Sequence, residues 1–242
     1  MYTLGMELKN ITYKVQEDGK EKVILEDINI NFERGKITAI TGQNGSGKST
    51  LIKLIMGILA PTSGSIFVDG KEITDTSIEY RANNGLTMAF QQPVKFKGLT
   101  VKDLLDVASR KSNNLFDACN YLSTVGLCAK DYVTRPLDDT LSGGELKRIE
   151  LACALAKGGD IFLFDEPEAG IDLWSFDELV GIFKALKNKT VIIVSHQRKI
   201  LEIADNIVIL NHAGAPVVGS RKQLLNKVGG LKACGKLGGK HE

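Results

Sequence analysis

The run Gly42-Gln43-Asn44-Gly45-Ser46-Gly47-Lys48-Ser49-Thr50 constrains this chain more than any other stretch. It fits the pattern G-x-x-x-x-G-K-[ST], and its flanks are those the pattern requires. Residues 37–41 (ITAIT) read as a short buried strand. After the loop, Leu51, Leu54, Ile55 and Ile58 recur at helical spacing until Pro61. A glycine-rich turn between strand and helix can curl its backbone N–H groups around phosphate oxygens, and the helix adds the positive end of its dipole. Lys48 is then expected to reach the β- and γ-phosphates, and the Ser49 hydroxyl to hold Mg²⁺.

A second feature fits the first. Ile161-Phe162-Leu163-Phe164-Asp165-Glu166 is an apolar strand that ends in two acids, and open α/β sheets place their chemistry at the carboxyl ends of strands. Asp165 is expected to bind Mg²⁺ through water, and Glu166 to polarise an attacking water. Taken alone, such a pair is as often simply solvated; beside a phosphate loop, the metal and water roles are the expectation. His196 follows another apolar strand, 191–194. A lone histidine there is more often structural, but a strand adjacent to that of Asp165 would bring it to the γ-phosphate. Gln91 follows a strand candidate at 88–90, where a helical stretch begins, and a polar residue there would bridge nucleotide and helices.

The rest of the chain suits a single α/β unit spanning 1–242. Alternation over 6–15 and 23–30, with a turn at Glu17-Asp18-Gly19-Lys20, predicts an antiparallel β region, and 65–69 a further strand. Helical spacing over 101–110, 115–126 and 142–157 predicts an inserted helical subdomain within 92–158. The apolar strands 161–164 and 191–194, with a helix over 173–187 between them, predict a mixed, mainly parallel sheet covered on both faces. A last strand is expected at 207–210. From Gly219 onward a basic tail is expected, either solvated or a docking patch. The net charge of +2 gives no reason to expect nucleic acid as a partner. No run approaches the roughly 20 apolar residues that cross a bilayer, and the start lacks the pattern of a secretory signal. The expectation is a cytoplasmic chain with no direct membrane insertion. Its cysteines, Cys119, Cys128, Cys153 and Cys234, form no C-x-x-C pair, and a structural role is expected for them, Cys128 and Cys153 lying in helical patterns.

Leu141-Ser142-Gly143-Gly144-Glu145, followed by Lys147-Arg148 and a helix just upstream of the Asp-Glu strand, resembles the signature motif of the ATP-binding cassette ATPases. The resemblance spans nearly the whole chain and implies a P-loop NTPase fold hydrolysing ATP with Mg²⁺. By it, Gln91 is the Q-loop glutamine and a metal contact, Glu166 the catalytic glutamate and His196 the switch histidine. Ala169-Gly170-Ile171-Asp172 is by the same likeness the D-loop. It also implies a homodimer on ATP binding, in which residues 141–145 contact the ATP of the partner protomer. That has a physical basis, since Ser142, Gly143 and Gly144 at a helix start form a second anion site. Within the family, Val15 at the adenine-stacking position, Glu145 closing the signature, Glu168, and Gln197-Arg198 after the histidine resemble the SufC ATPases of iron–sulfur cluster assembly. The helical insertion is shorter than theirs, and Pro167 and the order His196-Gln197-Arg198 depart from their usual pattern. That branch implies a SufB-like scaffold protein as partner; the alternative is a membrane permease served by a transporter subunit.

Overall fold

The computed structural model describes residues 5–90, 98–111, 114–172, 176–212 and 214–231. The chain opens with a long hairpin of β1 (Met6–Glu17) and β2 (Lys20–Phe32). Asp18 and Gly19 both take left-handed backbone angles, φ 51° and 73°, which is what a two-residue hairpin turn matched to strand twist demands. Next come β3 (Ile37–Gly42), α1 (Lys48–Met56), β4 (Ser63–Val68), β5 (Lys71–Glu72), α2 (Ile78–Asn83) and β6 (Leu86–Ala89). The helical stretch holds α3 (Val101–Ser109), α4 (Leu115–Thr124), α5 (Ala129–Tyr132) and α6 (Gly143–Lys157). The chain then alternates β7 (Ile161–Asp165), α7 (Phe176–Ala185), β8 (Thr190–Val194), α8 (Arg198–Ile203) and β9 (Asn206–Leu210), and ends with β10 (Val217–Ser220) and α9 (Arg221–Leu231).

The strands form two sheets. One is four-stranded and antiparallel, in the order β2-β1-β4-β5; the other is six-stranded, in the order β10-β9-β3-β8-β7-β6. In the larger sheet β9, β3, β8, β7 and β6 run parallel, and only β10 is antiparallel. Each parallel strand buries both faces, which is why it reads as unbroken apolar sequence. Ile161, Leu163, Ile192, Val194, Val208 and Leu210 face α1 and the antiparallel sheet. Phe162, Phe164, Val191, Ile193, Ile207 and Ile209 face the other way, into one continuous core shared with α3, α4 and α6 to α9. Strand register sets the functional edge. Asp165 and Ile40 both pair with Val194, and Gly42 pairs with Leu210, so β3, β7 and β8 end side by side.

Helix α1 lies between the two sheets with Leu51, Ile52, Leu54 and Ile55 fully buried, as expected of a helix apolar on more than one face. Its C-terminal carbonyls are met by Arg81 of α2, which is only 1% exposed. The guanidinium donates to Leu54 O (2.8 Å), Ile55 O, Ile73 O and Thr74 O (each 2.7 Å), and to Thr76 Oγ1 (3.1 Å). A cation at a helix C-terminus complements the dipole.

Three expectations need correction. The stretch from Gly219 does not begin as a free tail: it completes β10 and continues into α9, with Leu224 in the core. Residues 232–242, including Cys234, lie outside the described residues. Cys128 is exposed at the N-cap of α5 and not within a helix, whereas burial pushes the Cys153 thiol up to about 12, making it a small hydrophobe. The helix expected over 173–187 spans Phe176–Ala185, residues 173–175 being outside the described set. Among the described residues no helix is long and apolar enough to cross a membrane.

Candidate active site

The phosphate loop closes on itself through its glycines. Gly42, Gly45 and Gly47 have φ of 144°, 80° and 88°, in the region that side-chain-bearing residues avoid. Space is short as well. A Cβ on Gly42 would lie 2.1 Å from Leu210 O, and one on Gly47 would lie 2.6 Å from Leu25 Cδ2. The loop ends at α1, whose N-terminus has no side-chain cap. Its first N–H groups have no intrahelical acceptor and are open to an anion. Lys48 is buried and donates to Gly42 O (3.1 Å) and Gln43 O (2.8 Å), folding back over the loop. Burial lowers its pKa, while the nearby Glu166 and Asp165 carboxylates hold the charge on. The Ser46 hydroxyl is buried without a hydrogen-bond partner among the described residues. A cradle of N–H groups, a lysine and an unsatisfied hydroxyl fits a polyphosphate.

The acids stand where the strand register puts them. Ser49 Oγ donates to Asp165 Oδ1 at 3.0 Å, so two residues 116 apart in sequence meet at one point. A hydroxyl and a carboxylate beside a phosphate cradle are the donor set that Mg²⁺ takes alongside nucleotide oxygens. Burial raises the Asp165 pKa, opposed by the Ser49 bond. Glu166 takes a left-handed φ of 44° and its N–H donates to Val194 O (3.0 Å), so the chain turns sharply and the two acids diverge. His196 follows on the neighbouring strand end, with Nδ1 3.5 Å from Thr41 Oγ1. Gln91 lies outside the described residues. Phe90 just before it is anchored to α6: its N–H donates to Glu150 (2.6 Å) and its carbonyl accepts from the buried Lys147.

The signature residues sit apart from this edge, at the start of α6. Ser142 is the N-cap in a full capping box: its N–H donates to Glu145 Oε2 (2.6 Å), and its Oγ accepts from Glu145 N (3.2 Å). The other Glu145 oxygen accepts from the Tyr132 hydroxyl and faces Arg135 at 3.4 Å. The Tyr132 bond and then the Ser142 N–H hold Glu145 down to about 2. Leu141 is buried beneath, and a Cβ on Gly143 would meet nothing within 4 Å. Among the described residues no hydrogen bond joins 141–145 to 42–50. Asp172 is tied to α6 by Arg148 at 3.1 Å.

Sequence reasoning missed Glu168 as a structural partner. Its Oε1 accepts from Ser195 Oγ at 2.5 Å, and the only hint was an acid standing next to the Asp-Glu pair. Lys147 and Glu150 also escaped notice, because charged residues on a helix are usually solvated.

Residues 25–169 match the family described as ABC transporter. An uncharacterized ABC transporter ATP-binding protein of Methanocaldococcus jannaschii is 39% identical over 197 residues, covering 77% of this chain and 79% of its own length. The energy-coupling factor transporter ATP-binding protein EcfA2 of Leuconostoc mesenteroides is 32% identical over 216 residues, covering 84% of this chain and 75% of its own. The dimeric structure of a bacterial ABC transporter cassette superposes with a TM-score of 0.82 at 23% identity, covering 89% of this chain and 98% of that one. At that identity the likeness speaks for the fold.

Proposed function

The chain belongs to the ATP-binding cassette ATPases, which hydrolyse ATP with Mg²⁺ on a P-loop fold, and from that premise we propose that it is the ATP-hydrolysing subunit of a membrane transporter. The observation that carries this is the naming of its relatives as transporter ATP-binding proteins. The geometry supports the same reading. An apolar cleft of about 200 Å³, lined by Phe90, Leu104, Ala108, Leu146, Ile149 and Glu150, opens where β6 meets α3 and α6. In this reading it receives a permease segment.

In the proposed cycle residues 42–50 hold the phosphates and Lys48 turns from the loop carbonyls to the β- and γ-oxygens. Ser49, Asp165 and Gln91 would hold Mg²⁺, which would supply positive charge to neutralise the phosphoryl oxygens. Glu166 takes a proton from the attacking water, and His196 contacts the γ-phosphate. The open face at Gly143 and the start of α6 would meet the ATP of a second copy, with Asp172 beside it. Two nucleotides then join two protomers, and hydrolysis releases them.

A second reading, a SufC-like ATPase acting on a SufB-like scaffold, is favoured by the acid at Glu168 and by Gln197 following the histidine. Against it stand the transporter names of the relatives reported above. Glu145, which suggested it too, has a local use in the capping box. Affinity purification of the tagged chain, with and without detergent, tests the choice. The transporter reading expects a permease only in the detergent sample. A soluble scaffold recovered without detergent, and no permease in either, would overturn it.

A further inference from the structure

Glu168 stands two residues beyond the general base, yet it points away from the metal pair and into the strand end that carries His196. Its backbone is held in the turn that follows Glu166: Ala169 N donates to Glu166 O (3.0 Å), and Ile171 N donates to Glu168 O (3.1 Å). Its Oε1 accepts from the Ser195 hydroxyl at 2.5 Å, and Ser195 is fully buried. The same Ser195 Oγ accepts from Gln197 N at 3.0 Å. The backbone N–H of His196 also favours the charged Glu168 carboxylate. One side chain therefore reaches Ser195 and, through its hydroxyl, the N–H of Gln197.

The second oxygen, Oε2, is buried with no hydrogen-bond partner among the described residues. A buried carboxyl with one oxygen unsatisfied is costly, and Glu166 nearby adds like charge that, with burial, raises the Glu168 pKa. Such a group is more readily explained by the site it serves.

We propose that Glu168 is a positioning residue for His196: by gripping the peptide on both sides of the histidine, it sets the angle at which the imidazole meets the γ-phosphate. It touches neither nucleotide nor metal. Because the turn at 166–171 bears both the base and Glu168, the same segment aims the water and the histidine. The inference rests on the role given to His196 above.

A double-mutant cycle on the full chain tests it. Glu168→Ala should lower kcat about ten- to a hundred-fold, the scale of a displaced catalytic group, with KM for ATP unchanged. Ser195→Ala removes the same brace from the other end and should match it. Glu168→Gln keeps the shape and the Ser195 bond, controls for folding, and should retain most of the activity. The deciding comparison is Glu168→Ala with His196→Ala, whose kcat should be no lower than that of His196→Ala alone. Multiplicative losses in the double variant, or full kcat in Glu168→Ala, would overturn the proposal while leaving His196 in its role. Full activity in His196→Ala would remove that role, and this inference with it.

Discussion

Two helix starts in this molecule are the proposed anion sites, and they are built in opposite ways. The start of α1 is uncapped, wrapped by glycines locked in left-handed angles, and closed in by Leu210 and Leu25. The start of α6 caps itself, with Ser142 and Glu145 satisfying each other and Tyr132 and Arg135 holding the acid in place. Its Gly143 looks onto open space. The first is a receptor complete within one protomer. The second is a surface whose cap is satisfied within the chain, while the N–H groups of Gly143 and Gly144 have no acceptor among the described residues. That asymmetry is what a composite site requires, because a finished pocket on one copy needs only a prepared edge from the other.

The largest effect expected is at the receptor. Glu166→Gln should lower ATP turnover by roughly 10²–10⁴-fold while leaving binding intact, so ATP-bound dimer should accumulate on a size-exclusion column. Normal turnover would take Glu166 out of the base role. Gly143→Asp breaks the other side of the comparison. It puts a negative side chain on the prepared edge, so nucleotide affinity of the protomer should persist while ATP-driven dimerisation disappears. Dimerisation at the parental ATP concentration would show that this helix start does not face a phosphate.

Smaller effects sharpen the contrast further. Arg81→Met removes a donor from four carbonyls, of which Leu54 O keeps Gly57 N and Ile73 O keeps Thr76, and should cost on the order of 2–4 kcal/mol in urea unfolding. A loss below about 1 kcal/mol would mean the carbonyls find other donors. The smallest is Tyr132→Phe, expected to cost about 1 kcal/mol because the pair is partly exposed, and its sign with pH is fixed. Glu145 is held below its ordinary 4.5, at about 2, so its contribution is present above the unfolded pKa and fades as pH falls toward the folded one. The variant should therefore lose more stability at about pH 6 than at about pH 3. Equal losses at both would separate Glu145 from this tyrosine.

Much of the receptor was legible in the sequence because its determinants are local. The loop 42–50, the acids after 161–164 and the histidine after 191–194 follow from short patterns whose strands are buried on both faces. Only the register that unites Ser49 with Asp165 needed coordinates. Arg81 was not legible, since a lone arginine in a six-residue helix carries no sign of burial, and its partners come from the ends of α1 and from 73–76. Glu168 was hidden for the same reason: its partner Ser195 is 27 residues away. The stretch from Gly219 was misjudged because β10 is a short edge strand with exposed valines, and the basic side chains of α9 mask the few apolar positions that dock it. The likeness to the SufC branch leaned on Glu145 and Glu168, which have close-range structural partners of their own.

Arg81 has one more implication. Helix α1 is gripped at its far end by a guanidinium wedged into carbonyls from two directions, and Gly57 leaves no slack there, since a Cβ would lie 2.9 Å from Arg81 Nε. The helix behaves as a strut set in a socket. In the proposed cycle, departure of the terminal phosphate meets a helix held at its far end, so movement is expected in the parts around the cradle and not along the axis of α1.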